Sequence, residues 1–126
     1  LIAPVSRFVF MEPQQEWYSE LIAHHLEEAE VRITDGLAAT SRDANGCWVT
    51  PTKGPRKLRF RGGQDRLYRF VYCIRNRYAA GSSEVIRHRC NNRRCVHPRH
   101  LTIGSRYDNI LDDRGFRANG VDFELL

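Results

Sequence analysis

The stretch from His88 to His100, HRCNNRRCVHPRH, packs two cysteines and three histidines into thirteen residues. Cys90 and Cys95 are separated by four residues, and Cys95 and His100 by four more. Thiolate and imidazole are the ligands Zn²⁺ prefers, and a structural zinc site takes four of them in a tetrahedron. The stretch supplies three at short spacing, so a fourth must come from elsewhere in the chain. His88 is left over, two residues before the first cysteine. Alternating residues of an extended chain point to opposite faces, which predicts His88 and Cys90 on one face and Arg89 on the other. Strand-like apolar residues precede and follow the cluster, and a helix pattern begins after them.

Three residues compete for the fourth position. Cys47 opens an extended segment, Cys73 falls on a helix flank among Arg66, Asn76 and Arg77, and His97 lies inside the loop itself. An alternative set of His88, Cys90, Cys95 and His100 would put two ligands on neighbouring same-face positions and leave Cys47 without a role. Two disulfides are the other use for four cysteines. The interleaved histidines and the lack of an export-signal pattern favour metal.

His88-Arg89-Cys90, Cys95, Pro98-Arg99-His100-Leu101 and Asn109 together resemble the His-Cys box of intron-encoded homing endonucleases, a group within the ββα-metal nucleases related to the HNH enzymes. The resemblance covers residues 44 to 114 and is specific across 86 to 110. It implies an α+β fold: a ββα-metal core with a structural zinc loop, a DNA-reading β-hairpin and an N-terminal helix. It implies that Cys47, Cys90, Cys95 and His100 hold the zinc, Cys47 matching a cysteine the family places upstream of its box. It assigns His88 as general base and Asn109 as the holder of a catalytic Mg²⁺. The family also places a phosphate-neutralising arginine near the hairpin, for which Arg61 is the candidate and Arg59 the alternate. The tail after residue 114 has no cysteine or histidine, so the second zinc site of some family members is absent or replaced.

Charge is divided unevenly along the chain. Residues 1–46 hold three basic and eight acidic side chains, residues 47–126 seventeen basic and seven acidic. Eighteen of the twenty basic residues are arginine, with lysine only at 53 and 57. The planar guanidinium fork suits bidentate contact with phosphates and guanine edges. The basic part therefore reads as a nucleic-acid surface, for double-stranded DNA if the resemblance holds, and the acidic part does not. No run of eighteen or more apolar residues and no signal-peptide pattern occurs, so the expectation is an intracellular protein with no membrane partner.

In order along the chain, residues 5–10 (VSRFVF) suggest a short strand. Pro13 then starts an amphipathic helix carrying Trp17, Leu21, Ile22, His25, Leu26 and Ala29, ending before Thr34-Asp35-Gly36. His24 is expected in solvent and His25 half buried. Residues 34–46 read as a linker, dividing an acidic segment (1–43) from a zinc-stapled nuclease-like domain with its tail (44–126). Cys47–Thr50 and Lys57–Arg61 read as the two strands of one hairpin, closed off by Gly62-Gly63. Leu58 and Phe60 lie on one side and Lys57, Arg59 and Arg61 on the other. With Lys53 and Arg56 these cations form the predicted DNA-binding set, since a two-stranded ribbon fits the major groove. Residues 65–80 predict a helix with an apolar stripe of Leu67, Phe70, Val71, Ile74 and Tyr78 and a cap at Gly81. Ser105 and Asp108 predict a capped helix from Arg106, with Ile110 and Leu111 turned inward and Asn109 near the strand bearing His88.

Three functions fit these residues: a sequence-specific, double-strand-cutting homing-type endonuclease, a less specific ββα-metal nuclease, and a zinc-stapled DNA-binding module without catalysis. An intact His88 and Asn109 favour the nucleases, and a base-reading hairpin favours the first. Cutting both strands predicts a homodimer on a two-fold site, with the Trp17–Leu21–Ile22–Leu26 stripe and the apolar tail as contact surfaces.

Overall fold

The computed structural model describes residues 11–126, so the strand expected over 5–10 lies outside the described residues. Pro13 does start a helix, α1 (Pro13–His24), with Glu12 and Gln15 forming a reciprocal cap. The chain breaks at His25 and re-enters a second helix, α2 (Leu26–Ala38), so one expected helix is two. Helix α2 also runs through Thr34-Asp35-Gly36, where the sequence suggested a stop. Gly36 is buried there because a Cβ would meet the Leu67 methyls at 3.1 and 3.2 Å. It serves close packing and does not break the helix. His24 is exposed and His25 half buried, as expected.

The single hairpin predicted over 47–61 is replaced by two. Strand β1 (Ser41–Arg42) pairs antiparallel with β2 (Trp48–Val49), and β3 (Lys57–Phe60) pairs with β4 (Gly63–Arg66). The segment after Cys47 has no edge left for Lys57–Arg61. Beyond β1 it pairs with the cysteine- and histidine-bearing loop, with Val49 bridging Cys95, the Val96 N–H donating to the Trp48 carbonyl (2.8 Å) and the Thr50 N–H to the Arg94 carbonyl (3.2 Å). Between β3 and β4 the turn is Arg61-Gly62, with φ of 44° and 81°. Two positive φ values make the primed two-residue turn that matches strand twist. The glycine pair thus turns the hairpin and does not close it off. Gly63 leaves room for the Trp17 indole, whose atoms would lie 2.3–2.5 Å from a Cβ. The same indole donates to the Phe60 carbonyl at 3.1 Å.

Helix α3 (Leu67–Arg75) follows β4 directly and is the centre of the core. It ends nine residues in, short of the expected Gly81. Arg77 takes the left-handed conformation (φ 50°), and the Tyr78 N–H closes on the Cys73 carbonyl at 2.9 Å. That is a Schellman stop, with arginine where glycine is usual. Tyr78 is consequently outside the helix and exposed, and Cys73, expected on a polar flank, is fully buried. Phe70, Val71, Cys73 and Ile74 pack with Tyr18, Leu21, Ala29 and Ile33 in one continuous cluster. The core therefore has no break at the expected boundary between residues 43 and 44. Leu21 and its half-buried neighbours Trp17, Ile22 and Leu26 face this core, so that stripe is not a free assembly surface.

The chain ends in an antiparallel ribbon and a helix: β5 (Glu84–His88), β6 (Leu101–Ser105) and α4 (Arg106–Asn119). Architecture is α+β, with four helices and three small antiparallel pairs among the described residues. Ser105 caps α4 by accepting the Asp108 N–H (3.1 Å), while the Asp108 carboxylate accepts the Ser105 N–H (2.9 Å). Contrary to expectation, Ile110 and Leu111 stay half exposed, at 50% and 43%, because α4 lies on a two-stranded ribbon and buries no residue fully. Among the described residues no helix is long and apolar enough to cross a membrane.

Candidate metal centre and cleft

The loop between β5 and β6 carries Cys90, Cys95 and His100, and β2 delivers Cys47 from the other side. The His100 residue closes a short 3₁₀ turn, Pro98–His100, that proline starts. All four side chains are buried, and their ligand atoms lie within 4.8 Å of one another. His100 Nδ1 is 3.6 Å from Cys47 Sγ and 3.5 Å from Cys95 Sγ. Ligands at about 2.0–2.3 Å from a tetrahedral Zn²⁺ would stand about 3.5–3.8 Å apart, which the two His100–cysteine distances match, so the set could hold a metal ion. Phe123 and Leu126 of the tail and Val49 of β2 pack over the thiols.

Electrostatics point the same way. The Cys90 thiol donates to Cys95 and draws that group down to about 5. The same hydrogen bond, then burial, holds Cys90 high, and burial pushes Cys47 up to about 12. Three thiols this close cannot all ionise in a buried site unless a cation compensates them. Cys73 is not part of this set; burial in the core holds it at about 11. His97 is a neighbour and not a ligand. Its ring stacks on His100 (4.5 Å between centroids) and on Trp48 (4.3 Å), and its Nδ1 accepts the Arg99 N–H.

His88 ends β5 and takes a different direction from Cys90. The expectation of a shared face holds only while the chain is extended, and it turns at Arg89-Cys90. The His88 ring packs edge-on against Tyr68 at 4.3 Å. Its Nε2 has no hydrogen-bond partner although it is buried. Burial drives the imidazole down to about 4, so near neutral pH it is uncharged with a free lone pair on Nε2.

A cleft of about 860 Å³ opens beside this ring. His88, Asn91 and Asn109 line it, the last in the first turns of α4. Arg61, the expected phosphate partner, does not line it: the hairpin register puts Arg61 at the turn, where it pairs with Glu28 at 2.9 Å. The arginines at the cleft are others. Arg69 is committed to Asp65 (3.2 Å) and to the Glu84 and Gly81 carbonyls. Arg66 and Arg93 line the cleft with no carboxylate within salt-bridge distance among the described residues. Arg66 was readable from the alternation of Gln64 and Arg66 on β4. Arg93 had no signal beyond lying in the metal loop.

The outward face of the β3–β4 ribbon carries Lys57 and Arg59, and across from them Arg66 and Gln64. Leu58 and Phe60 point inward as expected. Lys57 directly opposite Arg66 is an unfavourable pairing of like charges unless an anion lies over both. Lys53 is exposed and Arg56 half buried in the connection before β3. Compared with protein-family models, with curated proteins and with solved structures, the chain matches none.

Proposed function

We propose that this chain is a metal-dependent endonuclease of the ββα-metal type, acting on double-stranded DNA in a sequence-specific, homing-type manner. The observation that carries the reading is the division of labour at the end of β5. Four buried ligands could hold a structural zinc without His88, while His88, whose buried Nε2 has no partner, lines a cleft that Asn109 also lines. A histidine used only for structure would be expected to have both ring nitrogens engaged.

In this reading the zinc site staples the loop to β2 and fixes where β5 ends. His88 Nε2 takes the proton from a water that attacks phosphorus. Arg66 and Arg93 face the phosphate in place of Arg61. The side-chain oxygen of Asn109 would hold a Mg²⁺, a hard cation that accepts few protein ligands beside water and substrate oxygens. When bound, that ion supplies positive charge for the phosphate and the departing 3′ oxygen. The outward face of β3–β4, with Lys57, Arg59 and Gln64, runs through Arg66 into the cleft, so one strip of protein meets both groove and phosphate. Cleavage of both strands by one centre per chain calls for a two-fold homodimer.

The deciding experiment incubates the zinc-loaded protein with long mixed-sequence DNA and Mg²⁺. Discrete fragments support a sequence-specific endonuclease. A smear supports a relaxed nuclease, and binding without cutting reduces the chain to a DNA-binding module.

A further inference from the structure

We propose that the Arg87–Asp112 ion pair, seated in a notch that Gly104 leaves open, is the positioning element that sets Asn109 against His88; this rests on the nuclease reading above. Arg87 is the neighbour of His88 on β5, and Asp112 lies three residues beyond Asn109, on the same side of α4. Arg87 Nε donates to Asp112 Oδ2 and its Nη2 to Oδ1, both at 2.6 Å. A two-pronged contact between planar groups fixes rotation as well as distance, which a lysine at the same place would not.

The rest of α4 explains why such a device is needed. The helix buries no side chain fully, so apolar packing does not set its rotation. Its capping box at Ser105 and Asp108 fixes where it starts along its axis, but not the angle at which Asn109 projects. The fork supplies that angle. Gly104 makes the reach possible: it sits on β6 opposite Val85, and a Cβ there would lie 2.5 Å from Arg87 Cδ and 3.0 Å from an Asp108 carboxylate oxygen. Any larger residue at 104 pushes Arg87 off its path to α4. Small displacements matter, because a misplacement of about 1 Å can cost about 10²-fold in rate.

The test uses the full zinc-loaded chain and three variants, Asp112→Asn, Arg87→Lys and Gly104→Ala. Zinc content and affinity for a defined duplex without Mg²⁺ should match wild type, while Mg²⁺-dependent cleavage should fall on the order of 10²-fold in each. The Asp112→Asn, Arg87→Lys double variant should be no worse than either single one, because one contact is broken once. Mn²⁺ broadening of nuclear magnetic resonance signals gives a readout apart from activity. In wild type Mn²⁺ should broaden both the Asn109 side-chain amide and the His88 ring; in the variants the paramagnetic relaxation of the His88 ring should change relative to that of the Asn109 amide. Variants that cut at the wild-type rate with the wild-type relaxation ratio overturn the proposal and leave the nuclease reading standing. So does Asp112→Asn abolishing Mn²⁺ binding while Arg87→Lys keeps it, which would make Asp112 a ligand by itself. Loss of zinc or of folding in all three variants makes the pair a structural staple and also overturns it. Failure of the nuclease reading shows in the wild-type protein instead, as neither broadening nor cutting, and takes the proposal with it.

Discussion

Cys47 Sγ lies 3.6 Å from His100 Nδ1 although the two stand 53 positions apart in the chain. That contact joins the edge of β2 to the end of the metal loop, and the loop in turn carries the strand that ends at His88. A metal ion held there would cross-link distant parts of the basic region and would contribute to folding directly. Cys47→Ser should lose zinc or fail to fold, whereas Cys73→Ser should keep a full equivalent. Metal analysis of the two purified variants checks this, and full zinc in Cys47→Ser would remove Cys47 from the ligand set. Cys73→Ser should still cost stability, since it places a hydroxyl in a fully buried apolar site. Its thermal midpoint should fall without any change in metal content.

The outward ribbon face makes a two-part expectation. Arg66 belongs to the cleft, so Arg66→Ala should weaken binding to all duplexes alike and reduce the salt slope of binding by about 1. Arg59 stands on the ribbon away from the cleft. Arg59→Ala should relax choice at one base pair, by about 1–3 kcal/mol if its contact is bidentate. Binding isotherms on a target and on single-base variants, at several salt concentrations, separate these effects. The ribbon is not the reading head should both substitutions leave affinity and cleavage pattern unchanged.

Some of this architecture was legible in the sequence and some was not, for identifiable reasons. Three of the four clustered ligands were legible because thiol and imidazole chemistry at four-residue spacing admits few other uses, whereas Cys47 came with the family resemblance and not from spacing; the α4 cap was legible because Ser105 and Asp108 are local to it. The partner of the Trp48–Val49 strand was not. It depended on which edge remained free after Ser41–Arg42 and the metal loop had docked, and no local pattern states that. Helix α3 stopped short of its Gly81 marker because the left-handed position is filled by Arg77 and not by a glycine. The cleft arginines come from separate elements, and the Arg87–Asp112 pair spans twenty-five residues and needs a missing Cβ on a third strand position.

Acid should loosen the first helix from the loop before β5. The Glu12 carboxylate accepts the Ser82 N–H at 3.1 and 3.2 Å, and the hydrogen bonds to Ser82 hold its carboxyl below the usual glutamate range. A carboxyl lowered on folding stabilises the protein above its unfolded value of 4.5, and that contribution is lost as pH falls through the lower folded value. Amide exchange at Ser82 should therefore accelerate relative to core amides as the pH drops below that range. Glu12→Gln should show the faster exchange already at neutral pH. An acid-insensitive Ser82 amide in the wild-type protein would mean that Glu12 does not hold this loop.

The sharpest expectation concerns His88 and Asn109. His88 is outside the four-ligand set, so His88→Ala should keep zinc, fold and duplex affinity. Hydrolysis should collapse by at least about 10²–10⁴-fold, the usual worth of a general base. Asn109→Ala should likewise preserve zinc, but its residual cleavage should need much more Mg²⁺, because an exposed oxygen donor at the cleft has gone. Cleavage of a defined duplex across a Mg²⁺ titration, with zinc measured on the same samples, checks both. A His88→Ala protein that loses its zinc would make His88 structural and leave the cleft without a base. An Asn109→Ala protein with the wild-type Mg²⁺ dependence would remove Asn109 from the reaction while leaving His88 in place.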